Sequence, residues 1–212
     1  MRHAFSFPIH IREAIRSYVR QATDGINPKG FDQEPSYTAA LLGRLAGVAY
    51  EGSDGSVIFK TTNVNSIARG AAERWSGADL AITADIQQAE FRVSKAILAQ
   101  AKLGSLENFS RSERDRLIGQ IREMRRLTRS PKVLLVREIN GRREPMVASG
   151  VRIAEGLPTQ ILSLPDYFIR RILTTFDGDT RPEFVNGVQE SSLEQLHVMA
   201  RLAETVNPRE SQ

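Results

Sequence analysis

Residues 77–102 read GADLAITADIQQAEFRVSKAILAQAK, two apolar runs joined by a short polar segment. In the first run Leu80, Ile82 and Ala84 alternate with the residues between them, which is the two-residue period of a β-strand. The second run continues through residue 103. Together they predict an antiparallel hairpin. If its turn is centred between residues 89 and 90, residues whose numbers sum to about 179 lie opposite each other, so Asp79 faces Gln100.

Three polar side chains are thereby predicted to meet at the end of the hairpin far from its turn. Gln100 and Lys102 are two residues apart, so both project from one face of their strand, beside Asp79. A carboxylate and an amide oxygen can share a Mg²⁺ ion that keeps several waters, and a lysine can offset phosphate charge or act on an attacking water. The alternative is a solvated strand-end lysine and an aspartate that merely caps a turn.

Apolar spacing and turn residues predict the elements around the hairpin. Asn140-Gly141 indicates a second hairpin. Gln120 lies on the inward face of a predicted helix, although it could equally stand at the edge of that apolar stripe. In chain order we predict helices over about 9–22 and 34–52, strands at 56–62, 78–86 and 91–103, a helix over 111–126, strands at 132–139 and 145–153, and helices over 165–175 and 191–206.

This order predicts an α/β fold, a mixed central β-sheet flanked by helices. We expect a single domain over residues 1–212, with an N-terminal helical segment at 1–32, a core at 33–150 and a helical C-terminal extension at 151–212. The composition, 41% hydrophobic and 25% charged, is ordinary for a globular protein. The N-terminal residues have the pattern of neither a signal peptide nor a membrane span, so we expect a cytoplasmic protein without membrane attachment.

The quoted stretch resembles the PD-(D/E)XK nucleases in their Q-x-K form, as in Mrr-like and related prokaryotic restriction or defence nucleases. The family pattern, an Asp opening one strand and (E/Q)-x-K closing the next, maps onto Asp79, Gln100 and Lys102. Ala78 stands where the family name has proline. The resemblance covers residues 33 to 150 and implies a restriction-endonuclease-like core. It also implies roles for an acid in the preceding helix, matched by Glu34, and for Gln120 in the trailing helix.

The metal implied by this resemblance is Mg²⁺ or Mn²⁺, held by Asp79 and Gln100. The further ligand is left open between Glu34 and Glu73, and both can contribute. Cysteine is absent, which excludes thiolate zinc sites, disulfides and a cysteine nucleophile. The three histidines are too scattered along the chain to indicate a zinc site.

The resemblance implies an endonuclease that hydrolyses DNA, with RNA a less favoured substrate, acting in defence against phage or mobile DNA. Such chains work beside a sensor or regulatory partner, and homodimers are common among them. The formal net charge of +4 permits a nucleic-acid partner without requiring one. Seven arginines between residues 111 and 129 are either a phosphate-binding surface or a solvated face. The alternative function is a non-catalytic, nuclease-like module that binds a partner protein or nucleic acid.

Overall fold

The computed structural model describes residue 5 and residues 7–26, 33–62 and 76–203, which form helices on both faces of one sheet. Within this part no helix is both long and apolar enough to cross a membrane. The helices are α1 (Ile9–Asp24), α2 (Glu34–Leu45), α3 (Arg111–Leu127), α4 (Gly150–Ala154), α5 (Leu164–Tyr167), which continues as a π-helical turn (Phe168–Ile172), and α6 (Pro182–Gln189). The strands are β1 (Gly47–Gly52), β2 (Gly55–Thr62), β3 (Leu80–Gln88), β4 (Phe91–Leu103), β5 (Lys132–Ile139), β6 (Arg142–Ser149), β7 (Leu162–Ser163) and β8 (Glu194–Leu202).

The eight strands form a mixed sheet in the order β1-β2-β8-β3-β4-β5-β6-β7. Strands β1–β2, β3–β4, β5–β6 and β6–β7 pair antiparallel, as does β2 with β8, whereas β4 pairs parallel with β5 and β3 pairs parallel with β8. A parallel pair needs a crossover connection, and α3 supplies the one between β4 and β5. The predicted mixed sheet flanked by helices is therefore confirmed.

Two apolar cores lie on opposite faces of the sheet, so the protein has three layers. One core packs α1, α2 and the α5 segment against alternate residues of β3 and β4, such as Leu80 and Ile97. The other packs α3 and α6 against the intervening residues, such as Ala81 and Leu98. Because both faces are covered, the central strands are buried along most of their length.

The β3–β4 hairpin has the register that the sequence predicts. Leu80 pairs with Ala99, so paired residue numbers sum to 179. The second hairpin is also confirmed: Asn140 and Gly141 have φ values of 52° and 73°, as a two-residue turn between right-twisted strands requires. Helix α3 begins with a capping box in which the Ser110 side chain and Glu113 satisfy each other's backbone N–H groups.

The prediction that the second helix continues to Gly52 is wrong. Helix α2 ends at Leu45, and residues 47–52 form strand β1, which pairs with β2. Gly47 has a φ of 151°, outside the helical region, so it separates the two elements. The alternating Val48 and Tyr50 then extend the sheet instead of the helix.

In the predicted helical C-terminal extension, the helix over 165–175 is found at residues 164–172, but the helix over 191–206 is a second wrong prediction. Residues 194–202 form β8, which lies between β2 and β3 in the sheet instead of in a helix over 191–206. The segment LHVMARL has apolar residues at both strand and helix spacing, and bonding to two neighbouring strands selects the strand. Conversely, Pro182–Gln189, which lies between the two predicted C-terminal helices, is helix α6 with proline in its first turn.

Candidate active site at the ends of β3 and β4

Asp79 is held opposite Gln100 as a continuation of the hairpin register. Its backbone N–H donates to the Ala99 carbonyl at 3.0 Å. Its Oδ2 atom accepts a hydrogen bond from the Ala101 backbone N–H at 2.8 Å and another from Nε2 of Gln100. The carboxylate is half-buried and is fixed by β4 itself, so its position follows from strand pairing.

A tight turn presents Asp79 to β4 and contacts helix α3. Gly77 has a φ of 70°, and a Cβ atom there would come within 2.4 Å of the Gln120 carbonyl oxygen. Glycine is therefore required both for the backbone conformation and for the close approach of α3. The Ser76 hydroxyl accepts from the Ala78 N–H at 3.1 Å and closes the turn.

Lys102 and Glu34 form an ion pair between β4 and the first turn of α2. Nζ of Lys102 lies 2.8 Å from Oε2 of Glu34, and the Leu103 backbone N–H donates to Oε1 at 3.4 Å. Lys102 is only 8% exposed, so the pair sits at the margin of the core. The helix N-terminus also favours a carboxylate at this position. Residues 68 apart in sequence are thus brought together at the end of one strand.

The positive charge of Lys102 also acts on Glu113, in the first turn of α3. Hydrogen bonds from Ser110 lower the pKa of Glu113, and the positive charge of Lys102 lowers it further. Helices α2 and α3 pack on opposite faces of the sheet, and each has in its first turn a carboxylate that interacts with Lys102. The end of β4 is therefore a place where charged groups from three elements meet.

The donor set around Gln100 fits a hard cation. Its side chain is 1% exposed, and its Oε1 atom forms no hydrogen bond within the described residues. A buried amide oxygen without a partner is costly, about 1–3 kcal/mol, and a cation beside it would remove that cost. Nε2 of Gln100 donates to Asp79, so the amide would have to turn its oxygen towards the Asp79 carboxylate for the two to supply the oxygen ligands that Mg²⁺ accepts while keeping waters.

The other predicted site residues are only partly placed by the structure. Gln120 lies beside Gly77 through its backbone, and its buried Oε1 atom has no hydrogen-bond partner in the described part of the chain. Glu73 lies outside the described residues. Among the described residues no three acids or histidines are grouped so that they could hold a metal ion.

One buried acid near the site was not predicted. Glu194 is 6% exposed and pairs with Leu80, the residue after Asp79, where β8 runs parallel to β3. Because residues 191–206 were predicted to form a helix, Glu194 was not expected to lie beside β3. The alternation of apolar and polar residues from Leu196 to Leu202 was the available indication of a strand.

Comparisons with known proteins leave the site to be judged from its own geometry. No family model matches the chain, and neither a curated protein nor a solved structure matches it. The arrangement of Asp79, Gln100, Lys102 and Glu34 is therefore the basis for any assignment.

Proposed function

We propose that the protein is a metal-dependent endonuclease with a PD-(D/E)XK-type, restriction-endonuclease-like core that hydrolyses DNA. The supporting observation is that Asp79, Gln100, Lys102 and Glu34 converge at the end of β4 from three separate elements. An acid, an amide oxygen and a lysine in this arrangement match the sequence resemblance residue by residue. The same resemblance supports a role as an effector in defence against phage or mobile DNA.

Asp79 and the Gln100 amide oxygen would hold Mg²⁺ or Mn²⁺, with Glu34 or Glu73 as the further ligand. The ion would supply charge stabilisation at the phosphate and a lowered pKa of a bound water. Asp79 is oriented for this role by the Ala101 N–H. Burial of Gln100 excludes bulk water from its amide and strengthens the electrostatic interactions there.

Lys102 would stabilise the negative charge that develops on the phosphate and position the attacking water. Its ammonium is held at 2.8 Å from Glu34, so its position is fixed before substrate binds. A fixed donor does not have to be reorganised during the reaction, which is the main source of its catalytic effect. Glu34 is accordingly a positioning residue for Lys102 as well as a candidate ligand.

Helix α3 offers cations for the phosphate backbone of the substrate. Arg116 and Arg122 are exposed and form no hydrogen bond or ion pair within the described residues. The positive charge of Lys102 lowers the pKa of Glu113 in the first turn of this helix, which supports a role for α3 near the site. Sequence-independent phosphate contacts of this kind position a duplex without reading its sequence. Specificity and control are proposed to come from a sensor or regulatory partner, and double-strand cleavage from a homodimer.

The direct test is incubation of the purified chain with supercoiled plasmid in the presence of Mg²⁺ or Mn²⁺. We expect nicked or linear products with either metal and none in EDTA. Agarose electrophoresis measures the conversion, and a single-stranded RNA of matched length tests the preference for DNA. Cleavage that persists in EDTA would contradict the proposal.

The second candidate is the non-catalytic module that binds a partner protein or nucleic acid. It is favoured by the pairing of the charged groups with one another: Asp79 accepts hydrogen bonds from β4, and Lys102 is paired with Glu34. This candidate predicts DNA or partner binding that neither metal converts into cleavage. A mobility-shift assay run beside the plasmid assay distinguishes the two.

Replacing Gln100 by Glu is expected to lower the Tm of the metal-free protein and to make that Tm rise with Mg²⁺. The amide of Gln100 donates to Asp79, so a second carboxylate there would be buried beside the first and repelled by it. For a chain of this size a loss of 1 kcal/mol lowers Tm by about 2–4 °C. Scanning calorimetry in EDTA and in millimolar Mg²⁺ measures both effects.

Gln195→Glu is the matched control for that variant. Gln195 is 2% exposed and donates its amide to backbone carbonyls of Val188, Gln189 and Ser191. A carboxylate at this position should destabilise the protein equally with and without Mg²⁺. Equal rescue of both variants by Mg²⁺, or rescue of neither, would argue against a metal at Asp79 and Gln100.

A further inference from the structure

A cavity of about 580 Å³ is lined by neither Asp79 nor Lys102. It opens near the start of β5 and is bounded by α4, by residues 158–162 and by the α5 segment. Lys132 lines it and pairs with Ala99 in β4, three residues before Lys102. Its volume is in the range of small-molecule sites and far exceeds that of a single water.

The described lining of this cavity is strongly cationic. It contains four basic side chains and a single carboxylate, a formal excess of three positive charges: Arg129, Lys132, Arg152, Arg171 and Asp177. Arg129 is exposed and forms no hydrogen bond or ion pair with any described residue. An arginine without an acidic partner, lying beside two other arginines, favours the binding of a doubly charged anion. The two parallel N–H groups of a guanidinium also match the oxygens of a phosphate.

The rim of the cavity is held in place before any ligand binds. Arg171 donates from Nη2 to the Gln160 side chain at 3.0 Å and stacks on Phe176, 4.5 Å from its ring centroid. Arg152 donates from Nε to the Pro158 carbonyl, which fixes its guanidinium to the same loop. Because each arginine is anchored through one nitrogen, its remaining N–H groups are oriented at little entropic cost.

The floor of the cavity combines a buried ion pair with an apolar wall. Lys132 is 7% exposed and lies 2.9 Å from Asp177. The Tyr167 hydroxyl is buried, and within the described residues it has no hydrogen-bond partner of normal geometry. Burial, together with the nearby Asp177, raises the pKa of this hydroxyl well above the usual value. It therefore stays a neutral donor. Val147 and Leu162 add apolar surface beside it.

We propose that this cavity binds a phosphate-bearing small molecule of nucleotide size, a nucleoside monophosphate or a close analogue. The arginines at the rim would take the phosphate, and the apolar wall with Tyr167 would take the ring system. The volume is too large for orthophosphate alone, and the charge is too high for an uncharged nucleoside. This binding does not depend on the proposed nuclease activity.

The test is titration of the full chain in EDTA with the four common ribonucleoside 5′-monophosphates, orthophosphate and adenosine, followed by calorimetry and thermal shift. At least one monophosphate should bind saturably and at least about tenfold more tightly than orthophosphate or adenosine, as expected when charged hydrogen bonds and ring contacts act together. Arg129→Ala and Arg152→Ala should each weaken that binding by about tenfold or more. Both residues are exposed, and the Tm without ligand checks that the fold is intact.

Arg116→Ala and Arg122→Ala are the matched controls, because they remove an exposed arginine from α3 without touching the cavity. They should leave binding unchanged, and so should Asp79→Ala, which separates this site from the nuclease proposal. Absence of saturable binding by every monophosphate would overturn the inference, as would equal losses in the control variants. Tighter binding of an oligonucleotide without terminal phosphates, through Arg129 and Arg152, would also overturn it and indicate a nucleic-acid backbone contact.

Discussion

Replacing Lys102 by alanine is expected to slow Mg²⁺-dependent DNA cleavage by on the order of 10²- to 10⁴-fold, the usual effect of removing a positioned acid–base or charge-stabilising group. The ammonium is held 2.8 Å from Glu34, so its position depends on both β4 and α2. Asp79→Ala is expected to have an effect of similar size, because it removes both the proposed metal ligand and the acceptor of the Gln100 amide. Initial rates of plasmid nicking measure both variants.

The controls for these variants are Asp85→Ala and Lys60→Ala. Asp85 lies on β3, six residues after Asp79 and on the same face of the strand, and Lys60 is an exposed lysine of β2. Both should cleave near the wild-type rate. Glu34→Gln distinguishes the two proposed roles of Glu34. If Glu34 binds the metal, the variant needs a higher Mg²⁺ concentration for cleavage. If Glu34 positions Lys102, the variant cleaves more slowly even at saturating Mg²⁺. Wild-type rates in both Lys102→Ala and Asp79→Ala would place the chemistry elsewhere.

Replacing Leu196 by alanine is expected to lower the free energy of unfolding by about 2–5 kcal/mol, the cost of a cavity in a packed core. Leu196 is 1% exposed and lies on β8, between β2 and β3. A corresponding fall in Tm of about 2–4 °C per kcal/mol should follow in a chain of this length. Urea unfolding followed by circular dichroism measures the change.

Arg201→Ala on the same strand is the control for this stability prediction. Its side chain is exposed, so its removal should change stability by no more than about 0.5 kcal/mol. A residue in a helical C-terminal extension would contribute little to the core, and Leu196→Ala would then resemble the control. If β8 is a central strand, Leu196→Ala must lower the free energy of unfolding far more than Arg201→Ala does.

The sequence was sufficient wherever neighbours in the chain decide the structure. The register of β3 and β4 follows from alternating apolar residues and a short turn, which is why Asp79 could be placed opposite Gln100. Helix α3 follows from its apolar spacing, whereas the sequence left its cap open between Ser110 and Ser112, and the structure selects Ser110. The family resemblance indicated Glu34 only as a possible metal ligand, and its ion pair with Lys102 was not predicted, because the two residues are distant in sequence.

Tertiary structure alone decided what depends on contacts between distant segments. Residues 194–202 have apolar residues that suit a helix or a strand, and only the open edges of β2 and β3 select the strand. Glu194 therefore lies beside the candidate site. The cationic cavity likewise depends on distant segments, because β5, α4 and the α5 segment all line it. Local propensity amounts to tenths of a kcal/mol per residue, whereas burying a strand between two others adds about 1.5–3 kcal/mol per large apolar side chain, so packing determined these elements.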